Sequence, residues 1–105
     1  MITTTTSDLP GHSIAEVVGI ARGSTVRARH LGRDFTAAIK GMVGGEISEY
    51  TRLLADARES ALQRMQEDAK RMGADAVVNV RISTSAVMQG AAEILAYGTA
   101  VKVMK

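Results

Sequence analysis

The chain has 105 residues, with 13 basic and 11 acidic side chains, no cysteine, no tryptophan and 3% aromatic residues. This length predicts a single domain over residues 1–105. The lack of cysteine excludes disulfides and thiolate sites, and a net charge of +2 with so few aromatic rings argues against nucleic-acid binding. There is no apolar run near the roughly 20 residues of a membrane span and no basic-then-apolar leader, so we expect a cytoplasmic protein without a membrane partner.

The first third of the sequence predicts short strands. Thr3–Thr6 is a β-branched run, and Ser13–Arg22 places apolar residues on both faces of a strand. The tripeptide RGS at Arg22–Ser24 indicates a turn or bulge before a third strand over Thr25–Arg29.

Two helices follow in the sequence. The spacing of Phe35, Ala38, Ile39 and Met42 predicts a short helix, and a longer helix is expected over about Glu46–Met72, ended by Gly73. The apolar stripe of the long helix consists of Ile47, Tyr50, Leu54, Ala57, Ala61, Met65, Ala69 and Met72.

The remaining residues predict a β-hairpin. The segment ADAVVNVRISTSAV alternates between apolar and polar residues, and EILAYGTAVKVM forms the last strand after a turn at Gln89-Gly90. The whole order predicts an α+β fold, in which a mainly antiparallel sheet packs on one long helix.

The length of the predicted long helix indicates self-association. About 26 residues span about 39 Å, whereas a compact chain of this size is about 33 Å across. The apolar arc of this helix is also wider than the roughly 100° that one contact requires. We therefore expect a symmetric homo-oligomer, whose principal partner is a second copy of the chain.

Two charged residues interrupt otherwise apolar patterns. Arg58 falls inside the helical stripe, and Glu16 lies in a strand among Ile14, Val18 and Ile20. A buried guanidinium requires a partner, so we predict an Arg58–Glu16 pair, with Glu93 as the second candidate. The alternatives are an Arg58 that contacts an anion at a subunit interface, and a catalytic role.

No motif identifies a cofactor or a catalytic site. His12 and His30 are far apart in sequence, and no glycine-rich phosphate loop or nucleophile motif is present. Three functions stay open: a homo-oligomeric scaffold or small-ligand binder without catalysis, a metal binder that uses carboxylates and histidines of several subunits, and an enzyme. An enzyme would use Arg58, Glu16 or Glu93 with Tyr97 at a subunit interface.

Nearly the whole chain resembles the small bacterial YbjQ-like proteins, which are also labelled a heavy-metal-binding domain. The resemblance rests on GGE at residues 44–46, ARESALQRM in the long helix, GADAVV at residues 73–78, and the closing EILAYGTAV. It implies a dodecin-like subunit assembled into a homopentamer, and it implies no established activity. Positions that match the family include Tyr50, Arg58, Met65, Arg81, Glu93 and Tyr97.

Overall fold

One helix packs on one face of a four-stranded sheet. The computed structural model describes residues 1–28, 48–88 and 91–105. Its elements are β1 (Ile2–Thr3), β2 (Ile14–Ala28), α1 (Ser48–Arg71), β3 (Ala76–Met88) and β4 (Ala91–Val103). The strand order is β1-β3-β4-β2; β1 is parallel to β3, and the other neighbours are antiparallel. This arrangement confirms the predicted α+β fold and the predicted terminal hairpin. The short helix predicted over Phe35–Met42 lies outside the described residues.

Strand β2 is continuous and regularly paired at Arg22–Ser24, so the prediction of two strands separated there by a turn or bulge was wrong. Gly23 is paired with Ala96 inside the strand and is buried directly beneath α1. A Cβ atom at this position would collide with the backbone nitrogen of Met65 and the carbonyl oxygen of Ala61. The glycine therefore permits close contact between helix and strand instead of forming a turn. The irregular pairings of β2 with β4 lie earlier, between Ile14 and Glu16 and between Val17 and Gly19.

The N-terminal strand is shorter than predicted, but the threonines beyond it still bond to β3. The amide of Thr4 donates to Val77 O at 3.0 Å, and its carbonyl accepts from Val80 N at 3.0 Å. Thr6 O accepts from the amide of Asn79, which has a left-handed φ of 55° at a bulge in β3. This bulge aligns Val80 and the following residues with the N-terminal segment.

Helix α1 ends at a glycine, as the sequence predicted. Gly73 has a φ of 80°, its amide donates to Lys70 O at 3.0 Å, and the amide of Ala74 donates to Ala69 O at 3.0 Å. These two bonds form a Schellman motif, which satisfies carbonyls at the end of the helix. The chain then turns directly into β3.

The main core lies between α1 and the sheet face that we call the helix face. The predicted stripe of α1 is confirmed at Ala57, Ala61, Met65 and Ala69, which are fully buried, while Leu54 and Met72 are partly buried against this core. The sheet contributes Ala21, Val77, Val80, Ile94, Ala96 and Ala100. Because most of these side chains are small, the helix lies unusually near the sheet backbone.

The opposite side of the sheet, which we call the open face, is covered over only part of its length. Leu9 packs there on Ala76, Val78 and Val101, with Ile14 and Val103 at the margin. The N-terminal segment thus supplies a small second core at one end of the sheet. No described helix is long and apolar enough to cross a membrane.

Candidate functional site

The structure contradicts the predicted buried pair between Arg58 and Glu16. Both residues are exposed. The Arg27 side chain bonds to Ser60, and Met72 lies beside Gly19, so α1 runs antiparallel to β2. Arg58 is therefore at the Arg27 end of the strand. Glu16 lies eleven residues away along β2, which is about 35 Å of extended chain.

The line of buried residues winds gradually around α1, and this explains why the sequence pattern wrongly placed Arg58 inside the apolar stripe. The buried residues Ala57, Ala61, Met65 and Ala69 are each four apart, so the buried direction rotates by about 40° per step. Seen down the helix axis, Arg58 points in nearly the same direction as Met65, which lies two turns further along. In the turn that contains Arg58, however, the buried direction is that of Ala57, and Arg58 lies to the side of it. Averaging over the whole helix hides this rotation. A role for Arg58 at a subunit interface stays a prediction.

The other two candidate residues, Glu93 and Tyr97, are on the open face. Glu93 is half-buried between its strand partners Val26 and Ser85, and Tyr97 is 39% exposed between Arg22 and Arg81. Since α1 packs on the other side of the sheet, Glu93 is no partner for Arg58 within the chain. Over the described ranges, the ion pair found joins Arg71 Nη2 to Asp68 Oδ1 at 3.2 Å.

Sequence reasoning missed a set of polar contacts between α1 and β2, which we call the polar seam. Arg64 Nη1 donates to Ser24 O at 2.6 Å, and the amide of Arg22 donates to Asp68 Oδ2 at 3.0 Å. Arg27 Nη2 donates to Ser60 Oγ at 3.3 Å. The spacing of Ser60, Arg64 and Asp68 by four residues was the available signal, because such residues share one helix face. The seam satisfies backbone groups on the outer edge of β2, which hinders pairing of a further strand there.

A groove opens at the β1–β3 edge of the sheet. Its cavity volume is about 440 Å³, within the range of small-molecule sites. Three elements form it: the N-terminal segment, α1 and the bulged part of β3. The lining residues are Thr3, Thr4, Thr5, Leu62, Val80, Arg81 and Ile82. Of the described residues that line the groove, Arg81 alone is charged, and it was not predicted as a binding residue.

The uncovered part of the open face carries large apolar side chains. Val17, Ile20 and Val26 of β2 are 65%, 61% and 57% exposed, and Tyr97 of β4 lies on the same side. Side chains of this size on one sheet face commonly mark a protein interface. This surface and the groove are the two features with which the described residues could contact other molecules.

In the part of the chain that the structure describes, the fold and these surfaces define a small α+β protein with one helix on a mixed sheet, exposed apolar side chains on the open face and a lateral groove. The chain belongs to the YbjQ family, whose model, described as "Putative heavy-metal-binding", matches residues 1–104. The resemblance predicted from the sequence is thereby confirmed.

The relatives of this chain are similar over almost their full length. UPF0145 proteins of Methanosarcina acetivorans and Thermotoga maritima are 59% and 53% identical to it; the matches cover 99% and 100% of this chain and 98% and 99% of those proteins. Another UPF0145 protein, from Archaeoglobus fulgidus, is 58% identical over 97% of this chain and 94% of its own length. The family thus includes archaeal proteins as well as the bacterial ones expected.

A solved structure has the same fold. The crystal structure of a protein with unknown function of the DUF74 family, from Pediococcus pentosaceus, superposes with a TM-score of 0.65. It is 15% identical in sequence, and the match covers 99% of this chain and 98% of that chain. At this identity the likeness establishes the fold alone.

The described residues do not suit the heavy metal that the family description names. The chain has no cysteine, and soft metals select thiolate ligands. Across residues 1–28, 48–88 and 91–105, no three histidine or acidic side chains form a group that could hold a metal ion. His12 is exposed in the turn after Leu9, and His30 lies outside the described residues.

Proposed function

We propose that this protein is a homo-oligomer, pentameric as the family resemblance implies, that binds a small ligand and has no catalytic activity of its own. The observation that carries the assembly is the apolar open face, where Val17, Ile20 and Val26 are each more than half exposed. Burying such side chains removes apolar surface from water, which stabilises association. The groove lined by Leu62 and Arg81 supports ligand binding, because its volume is that of a small-molecule site.

Native mass spectrometry and light scattering test the assembly. The wild-type chain of 11.1 kDa is expected to run as a single species of several chains, with five as the expected number. An Ile20→Lys substitution places a charge on the open face, where it meets water in a separate chain but an apolar surface in the oligomer. We expect this variant to form smaller species while its circular dichroism spectrum stays that of the wild type.

The control is Gln63→Lys, which adds the same charge at an exposed position of α1, away from the open face. It should leave the number of chains unchanged. A wild-type protein that is monomeric at micromolar concentration would contradict the proposal, as would an Ile20→Lys variant that assembles like the wild type.

The same samples test the metal-binding alternative. Protein purified without a metal-affinity step is expected to contain no stoichiometric metal by elemental analysis, since the described residues offer no ligand cluster. A fixed number of metal ions per oligomer would instead favour a site shared between subunits. That result would replace the ligand-binding part of the proposal and leave the assembly in place.

A further inference from the structure

We propose that the groove at the β1–β3 edge binds an organic monocarboxylate with an apolar body, whose carboxylate is held by Arg81. This inference rests on the proposed function, because it names the chemical class of the small ligand. The apolar body of the ligand would contact the groove walls formed by Leu62, Val80 and Ile82.

The walls of the groove favour an apolar ligand. Val80 is buried and belongs to the main core, Leu62 packs on that core from α1, and Ile82 is 43% exposed. Ile82 faces the same side of the sheet as Ala96, yet the helix does not cover it. A hydrocarbon chain placed here would remove the exposed part of these side chains from water, which is the main source of affinity for apolar ligands.

The side chain of Arg81 is held at the rim by two backbone carbonyls. Its Nη1 donates to Val80 O at 2.8 Å and to Thr5 O at 3.1 Å. Arg81 and Thr5 both line the groove, so the bond between them holds the guanidinium beside another lining residue. Both bonds use Nη1, and the described part of the chain offers no hydrogen-bond partner to Nε or Nη2. These two donors suit a carboxylate, to which a guanidinium binds through two parallel hydrogen bonds.

The charge of the lining selects an anion. Within residues 1–28, 48–88 and 91–105, the seven residues that line the groove include one cation and no carboxylate. Thr3, Thr4 and Thr5 are the other polar lining residues, and the Thr4 hydroxyl is hydrogen-bonded to that of Thr6 at 2.9 Å. One positive charge balances a monocarboxylate, and it disfavours a ligand that carries an ammonium group in the same place.

Three probes with the same eight-carbon body separate the contribution of the charge from that of the chain: octanoate, octanol and octylammonium. Titrations are followed on the assembled wild-type protein through the methyl resonances of Leu62, Val80 and Ile82. Octanoate should shift these resonances and bind about tenfold more tightly than octanol. Octylammonium should bind more weakly than octanol, and acetate, which lacks the chain, should cause no shift.

Two substitutions assign these effects to residues. Arg81→Gln should lower the affinity for octanoate to that for octanol, whereas Ile82→Asn should weaken the binding of both probes. The matched control is Arg22→Gln: Arg22 is also exposed and lies in the same cross-strand row, with Tyr97 between it and Arg81. This control should bind octanoate like the wild type.

Equal affinities for octanoate and octanol would overturn the proposal, and so would an Arg81→Gln variant that binds octanoate normally. If Ile82→Asn reduces the number of chains in native mass spectra, the groove holds a second copy of the chain and not a carboxylate. A wild-type protein that assembles but does not bind octanoate would contradict the carboxylate site and leave the proposed assembly in place. A monomer that binds octanoate contradicts the assembly alone.

Discussion

Gly23 determines how closely the helix approaches the sheet. Its missing side chain leaves room for the backbone of α1 at Ala61 and Met65, and a Cβ atom would meet main-chain atoms of the helix, which cannot rotate away. Alanine at this position would force the helix outward and loosen the contacts of Met65, which is fully buried.

We therefore expect Gly23→Ala to lower the free energy of unfolding by about 1–3 kcal/mol, the usual cost of overpacking. Chemical denaturation measures this change. Ser24→Ala is the control, because Ser24 is exposed and its contact with Arg64 uses the backbone carbonyl, which alanine keeps. A Gly23→Ala protein as stable as the wild type would show that α1 does not lie as close to β2 as described.

At the scale of elements, the polar seam fixes the position of α1 along β2. Asp68 has its carboxylate in the last turn of the helix, where a negative charge is unfavourable. Its bond to the amide of Arg22 and its ion pair with Arg71 offset that cost, and the bond to Arg22 also satisfies a donor at the edge of the sheet. Asp68→Ala should lower the stability by about 1 kcal/mol and speed hydrogen exchange of the Arg22 amide.

Glu67→Ala removes a neighbouring carboxylate of the same helix turn and is the appropriate control. Glu67 is exposed, so its loss should change the stability by no more than about 0.5 kcal/mol. If the two variants behave alike, the effect of Asp68 comes from its charge in the helix and not from its bond to Arg22.

These elements also show what the sequence could predict. The spacing of Ala57, Ala61, Met65 and Ala69 is a local pattern, and this prediction was confirmed. The strand β3 was also predicted, but its alternation was wrong in part, because the bulge at Asn79 places Val78 on the open face and Val80 on the helix face. The role of Gly23 depends on the helix that lies above it, about forty residues later in the chain. Arg81 likewise joins the groove through a bond to Thr5, 76 residues away. Neither contact leaves a local signal in the sequence.

At the scale of the whole molecule, the chain is more extended than a compact domain. Its radius of gyration is 17.1 Å, and it measures 55 × 25 × 16 Å, whereas a compact chain of this length has a radius near 13 Å. Among the described residues, one helix covers one face of a sheet of long strands, and apolar side chains such as Val17 and Ile20 stay exposed. In the assembly that we propose, these side chains are buried between copies. Folding and assembly should then be coupled.

Coupled folding and assembly make the melting temperature depend on protein concentration. A hundredfold dilution should destabilise each chain by roughly 2 kcal/mol and lower Tm by about 10 °C for a domain of this size. Differential scanning fluorimetry from 1 to 100 μM measures this shift. Because its interface is disrupted, the Ile20→Lys variant should have a lower Tm than the wild type, and its Tm should depend less on protein concentration. A wild-type Tm that stays constant over the range would mean that the single chain is stable by itself, which would contradict assembly through the open face.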